Sequence, residues 1–231
     1  MADVSCDEKM SREINREIKG LIARGEARIH VRAPGARHNL GVGILVPVDL
    51  TFDGSVGYYC AGMIDGPRVT VQGSAGWGLA ESMMDGRVVV HGSAGNGAGA
   101  AMRSGTVVIH GDAAARLGVS IKGGLILVAG NCGYMAGFMG QKGTLIVCGD
   151  AGPAFADSMY ETVCYVGGSI TELGNDAVVE EPSKADWAFL KSTLSDHFPE
   201  QAEIQTFKKV VSGRKLWNFD KEERAVWREA L

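Results

Sequence analysis

Residues 88–111 read VVVHGSAGNGAGAAMRSGTVVIHG, and this stretch holds one complete unit of a repeat. A run of β-branched residues leads to Gly92, and a similar run leads to Gly111, 19 residues later. The same interval separates a series of glycines along the chain: Gly54, Gly73, Gly92, Gly111, Gly130, Gly149 and Gly168. A fixed short period indicates a stacked array, because one unit alone is too small to bury its apolar residues.

The residues before each of these glycines are typical of a β-strand. Positions two and four before the glycine are apolar in almost every unit, and alternate positions share one face of a strand. A unit of 19 residues is too short for a strand–helix–strand crossover of about 30 residues. We therefore predict an all-β solenoid, a right-handed single-stranded parallel β-helix of about six or seven coils. Glycine is expected to provide the positive φ angles and the close backbone approach at its corners.

The repeat divides the chain into three parts. Residues 1–30 form an N-terminal helix and lead-in, residues 31–172 form the β-helix, and residues 173–231 form a helical and extended C-terminal tail. A leucine-rich repeat is the competing solenoid, but its LxxLxLxxN pattern is absent from the sequence.

Helices are predicted only in the flanks. The segment from Glu8 to Arg24 carries isoleucines at helical spacing. Ser183 can cap a second helix that runs to about Leu194. The segment Lys221–Leu231, which contains Trp227, is typical of a short charged helix.

Composition and charge restrict the class of protein. The 231 residues include 33 glycines but only 6 prolines, and 45% of the chain is hydrophobic, as in a globular protein. The net charge of −4 argues against a nucleic-acid scaffold and against a polybasic membrane binder. Five cysteines without a CxxC pair, and the lack of a signal peptide or a membrane-spanning run, predict reduced thiols in the cytoplasm.

One column of the repeat is apolar although it should point away from the core. This column lies three residues before each glycine and includes Val89, Val108, Leu127 and Ile146. A strand that is apolar on both faces is normally covered on both faces. The cover can be the chain's own helices or another protein, and these four residues are therefore candidates for contact with a partner.

His38 and Asn39 are further candidates, because they are polar residues in a loop before the first coil. They can cap a turn, or they can face the site of a partner subunit. The sequence leaves both alternatives open.

Other motifs carry weaker chemical signals. The glycines between Gly95 and Gly99 resemble a nucleotide loop, but no long helix follows them, so phosphate binding is not expected. His91 and His110 share one repeat phase and should stack, yet zinc requires three or four ligands. An aromatic column, expected to be core or corner packing, recurs four residues after the glycines: Tyr58, Trp77 and Tyr134. No catalytic group of residues emerges, which favours a scaffold.

The repeat resembles the C-terminal GXGXG β-helix domain of the glutamate synthase large subunit. The resemblance lies in the Gly-x-Gly-x-Gly of residues 95–99 and in three further stretches: Arg37–Leu40, Gly57–Met63 and Arg214–Phe219. It is closest to stand-alone GXGXG subunits, and among these to the glutamate-synthase-like subunit of N-methylglutamate synthase. The repeat-containing subunit of formylmethanofuran dehydrogenase is similar in its repeats.

The resemblance implies a structural subunit with no catalytic, cofactor-binding or metal-binding residue of its own. Its partners would be a glutamine-amidotransferase-like subunit and an FMN-binding glutamate-synthase-like subunit, with FMN and an iron–sulfur cluster on the latter. The hetero-oligomer would then make N-methylglutamate from methylamine and glutamate. The alternatives are a scaffold of the formylmethanofuran dehydrogenase type and a free-standing binding solenoid.

Overall fold

The computed structural model describes residues 2–203 and 206–216. Nine strands follow one another in parallel, each paired with the next along the chain. Their bounds are β1 Ala2–Ser5, β2 Arg28–Arg32, β3 Asp49–Asp53, β4 Asp65–Val71, β5 Asp85–Val90, β6 Thr106–Ile109, β7 Leu125–Val128, β8 Lys142–Val147 and β9 Glu161–Val166. This order of parallel strands confirms the predicted all-β solenoid.

The register of the sheet follows the 19-residue repeat. Val88 pairs with Val107, Val107 pairs with Ile126, and Ile126 pairs with Leu145. A second row of parallel bridges runs along another side of the solenoid: Val56, Ala75, Ala94, Ala113, Cys132, Ala151 and Ile170. Equivalent residues of successive units therefore stack on one another, and the apolar columns form one continuous core.

The repeating glycines make room for a ladder of polar side chains. The Ser55 hydroxyl accepts a hydrogen bond from the backbone N–H of Ser74 at 3.0 Å, and its oxygen lies against Gly73, where a Cβ would collide with it. The ladder continues in each later coil through Ser74, Ser93, Asp112, Asn131 and Asp150. In this series only Gly54 has a positive φ, of +136°. At the six later positions close approach is therefore what requires glycine.

The flanks close the two ends of the solenoid. Helix α1, Ser11–Ala23, buries Ile14 and Ile18 in the core. At the other end the antiparallel strands β10, Ala177–Glu180, and β11, Lys208–Ser212, add to β9.

Helix α2, Lys184–His197, begins after the predicted cap. The Ser183 hydroxyl accepts a hydrogen bond from the N–H of Asp186 at 3.2 Å, and a 3₁₀ turn, Pro199–Gln201, follows the helix. The helix predicted for Lys221–Leu231, with Trp227, lies outside the described residues.

The outward apolar column is covered by this chain itself. Val108, Leu127 and Ile146 are buried in a second cluster with residues of the C-terminal segment: Leu190, Leu194, Phe198 and Phe207. Val89 packs at the edge of that cluster. The assignment of these four residues as partner-facing is therefore corrected, because α2 and the segment after it take the place that a partner would need.

The length of α2 matches the length of the column that it covers. Asp186, near its start, bonds Tyr165 on β9, and His197, at its end, lies 3.0 Å from Arg87 on β5. Its 14 residues span about 21 Å, and the four strand steps from β9 to β5 span about 19 Å. At the uncovered end of the same column the residues are polar, namely Thr51 and Thr70.

Candidate partner-binding surface

An aromatic row lies on the outside of the solenoid, on the side that follows the repeating glycines. His38 stacks on Tyr58 with ring centroids 4.4 Å apart, and Tyr58 stacks on Trp77 at 5.2 Å. The residues are exposed: 39% of Tyr58, 52% of Trp77 and 48% of the more distant Tyr134 are accessible to solvent. Of the two alternatives for this column, core packing and corner packing, the exposure of the rings excludes the first.

A second set of glycines allows the rings to stack in this way. A Cβ at Gly76 would lie 2.6 Å from Cδ1 of Tyr58, and a Cβ at Gly95 would lie 2.7 Å from Cδ1 of Trp77. In these two coils the backbone thus rests directly on the ring of the coil before it. The first glycine of the Gly95–Gly99 motif positions an exposed indole, which is a different role from phosphate binding.

The row is interrupted between Trp77 and Tyr134. The two positions between them hold Asn96 and Ala115, and the Asn96 side chain folds back to accept the N–H of Ala115 at 3.1 Å. An open cavity of about 520 Å³ lies along this gap. The position of Ala115 is therefore a vacant step in the row, bounded by Asn96 and by the ring of Tyr134.

A smaller cavity of about 240 Å³ adjoins the first and shares Tyr59 and Glu81 with it. Gly78, at φ +69°, brings these two side chains together. A Cβ at this residue would lie 2.5 Å from the Tyr59 ring and 3.1 Å from Oε2 of Glu81. Met63, which is 60% exposed, continues the apolar surface beyond Tyr59.

His38 and Asn39 connect the row to the N-terminal helix. Nδ1 of His38 accepts the backbone N–H of Tyr58 at 2.9 Å, and the Asn39 carbonyl accepts a hydrogen bond from Nδ2 of Asn15 at 2.6 Å. Both side chains are exposed. The His38 side chain thus binds the backbone of the next coil, whereas Asn39 uses only its backbone carbonyl, and the contact of either residue with a partner stays a prediction.

His91 and His110 stack at 5.0 Å, as their common repeat phase predicts. Phe198 packs edge-on against His110, and burial together with the neighbouring His91 lowers the pKa of the His110 imidazole. In residues 2–203 and 206–216 no three histidine, cysteine or acidic side chains come close enough to hold a metal ion. The histidine pair therefore belongs to the contact between the solenoid and the segment after α2.

The cysteines are unpaired and buried in the described structure. Burial raises the pKa of the Cys60, Cys132 and Cys148 thiols to about 12. The thiolate is the reactive form, so these side chains are inert at neutral pH and act as small apolar residues of the core.

Among the described residues no helix is long and apolar enough to cross a lipid bilayer.

The fold and this surface define a class of protein, a parallel β-solenoid that holds rows of exposed side chains at fixed spacing. The model of the GXGXG motif family matches residues 38–222, and the chain belongs to that family. It is 47% identical over 210 residues to Protein GlxC of Rhizobium meliloti (strain 1021), an alignment that covers 90% of this chain and 92% of that protein. These matches support the resemblance to a glutamate-synthase-type GXGXG domain.

Proposed function

We propose that this chain is a non-catalytic structural subunit of a glutamate-synthase-type complex, and that the complex is an N-methylglutamate synthase. The chain would hold a glutamine-amidotransferase-like subunit and an FMN-binding glutamate-synthase-like subunit together. FMN and an iron–sulfur cluster would belong to the second of these partners. The complex would form N-methylglutamate from methylamine and glutamate.

The observation that carries the proposal is the exposed aromatic row on a parallel β-solenoid of the GXGXG family. Large exposed aromatic side chains are enriched at protein interfaces, and a stacked parallel sheet fixes their positions before a partner arrives. We place the complex in the cytoplasm, since the five cysteines are free thiols and disulfides are rare in that compartment.

Co-expression of the full chain with the two subunits from the same organism tests this proposal. We expect a stable complex with flavin absorbance that forms N-methylglutamate from methylamine and glutamate, and we expect assembly to fail when this chain is omitted. A complex that uses ammonia and rejects methylamine would keep the glutamate-synthase type but exclude N-methylglutamate synthase. Partners that contain tungsten or molybdenum, or a chain that stays monomeric, would contradict the whole proposal.

A further inference from the structure

The two adjoining cavities beside the aromatic row carry very little charge. Their linings are mainly aromatic, aliphatic and glycine residues, and among the described residues the only charged side chains that line either cavity are Glu81 and Arg116. Glu81 lines both cavities, as does Tyr59, whereas Arg116 lines only the larger cavity, two coils further along the solenoid.

Neither charge is neutralised by a neighbour that the structure describes. Within the part of the chain that the structure describes, the Glu81 carboxylate makes no ion pair or hydrogen bond, and neither does the Arg116 guanidinium. Glu81 is nevertheless half-buried beside the ring of Tyr59. A carboxylate next to aromatic rings is complementary to a cation, because the ring face and the carboxylate both attract positive charge.

We propose that these cavities bind a segment of a partner subunit that inserts an arginine beside Tyr59 and Trp77 to pair with Glu81. The planar guanidinium can stack on a ring and donate two parallel hydrogen bonds to a carboxylate, which lysine cannot do. A flat side chain of the same segment stacks on Tyr134 at the vacant step of Ala115. The inference rests on the proposed function, since it requires that the chain bind another subunit.

The spacing of the row determines what the segment must look like. Trp77 and Tyr134 are three coils apart, about 14 Å along the solenoid axis. A segment with its arginine at Glu81 and its flat side chain at Ala115 therefore spans about two coils, close to 10 Å, or about three residues of extended chain. An acidic residue next to the flat side chain would face Arg116, which follows Ala115 in the same coil, so charge fixes the direction of the segment.

A protein segment fits this surface better than a lipid or a nucleic acid. Both of those ligands are anionic, whereas Glu81 stands at the centre of the surface and the whole chain carries a net charge of −4. Exposed tryptophan and tyrosine around one charged group are typical of the residues that dominate protein–protein affinity.

Two variants of the full chain test the site in the co-expressed complex. Glu81→Gln keeps the shape of the side chain and removes the charge, and we expect it to weaken assembly about 10-fold or more. Ala115→Trp fills the vacant step with a ring that stacks on Tyr134, so it should block the partner while the free chain keeps its thermal stability. Glu172→Gln is the matched control, because it makes the same charge change at an exposed carboxylate outside both cavities. Glu172 lies in the column of Trp77, five units further along the solenoid.

A photo-crosslinking residue at position 59 identifies the inserted segment. We expect it to link to a peptide of a partner subunit that contains arginine. If the wild-type chain assembles and both variants assemble equally well, or if the linked peptide lacks arginine or comes from a second copy of this chain, the site is wrong and the proposed function stands. If the wild-type chain binds neither subunit, the proposed function and this site fail together.

Discussion

Tyr165 on β9 donates its hydroxyl hydrogen to Oδ1 of Asp186 in the first turn of α2, with the two oxygens 2.5 Å apart. The other carboxylate oxygen accepts hydrogen bonds from the Ser183 hydroxyl at 2.7 Å and from Nζ of Lys209 at 3.1 Å. Burial alone would raise the pKa of Asp186, but these donors hold it well below its ordinary value. Burial and the same carboxylate raise the pKa of Tyr165. One carboxylate thus joins α2 to two strands.

Tyr165→Phe is expected to loosen this junction. It removes one charge-assisted hydrogen bond and leaves the ring in place, so the free energy of unfolding should fall by about 1–3 kcal/mol. Urea unfolding measures the loss, and hydrogen exchange should show it in α2 before the parallel strands. Tyr134→Phe is the control, since the structure shows no hydrogen bond of the exposed Tyr134 hydroxyl with a described residue. Equal losses in the two variants would contradict this account of the junction.

Docking of the α2 C-terminus should weaken as the pH falls. Burial lowers the pKa of both His110 and His197, and Arg87 lowers that of His197 further. Below the ordinary histidine pKa of about 6.5 the unfolded chain therefore binds more protons than the folded chain, so acidification costs stability. The loss begins as the pH drops through about 6.5 and ends below the lowered folded values.

Urea unfolding at several pH values between about 7.5 and 5 measures this effect. Other groups facing the two imidazoles are His91, whose charge would add to the repulsion, and the acidic residues Asp196 and Glu200, which oppose it. The double variant His110→Gln, His197→Gln should show a shallower loss of stability than the wild type over this range. An identical pH dependence in the two proteins would mean that these histidines are not its source.

A charge in the covered column should destabilise the fold itself. Leu127 is fully buried beneath the α2 segment, so Leu127→Lys places an unpaired ammonium in an apolar contact and should cost several kcal/mol, about 3 or more. Thr70 occupies the same column beyond the end of α2, and Thr70→Lys should be nearly neutral. Thermal unfolding and binding of a hydrophobic dye compare the two. A folded, fully stable Leu127→Lys chain would mean that α2 does not cover this position.

The repeat could be predicted from the sequence because each column keeps its chemistry from coil to coil. Val88, Val107 and Ile126 differ little in size, and a parallel stack is the arrangement that places such residues side by side. The strand positions and the stacking of His91 on His110 follow from the same periodicity. The element that covers a column cannot be predicted from the periodicity, because apolar residues on an outer face are equally compatible with a helix of the same chain and with a partner.

The covering helix could not be assigned for that reason. Its position depends on the match between the length of α2 and four strand steps. It also depends on the contact of Asp186 with Tyr165, and the repeat cannot predict this contact because Asp186 lies outside it.

The candidate site was missed in a similar way. Tyr59 and Glu81 belong to different coils and different phases, so no column joins them, and they meet only through the turn at Gly78. The one available signal in the sequence was Tyr59, which directly follows Tyr58 of the aromatic column.

The Gly95–Gly99 motif contains glycines with two different roles, and substitution should separate them. Gly95 lacks a positive φ, but a Cβ there would lie 2.7 Å from the Trp77 ring and 2.9 Å from the carbonyl carbon of Gly76. Gly97 has φ +72°, and a Cβ added to it would meet no atom within 4 Å. Gly95→Ala should therefore cost about 1–3 kcal/mol through overpacking, and Gly97→Ala about 1 kcal/mol through backbone strain.

Asparagine distinguishes the two causes, because it adopts the left-handed region more readily than alanine but is larger. At position 97 Asn should be tolerated better than Ala, and at position 95 it should be tolerated worse. Urea unfolding of the four single variants measures this reversal directly. If one substitution is the better tolerated at both positions, the close contact with Trp77 and the positive φ of Gly97 are not separate reasons for the two glycines.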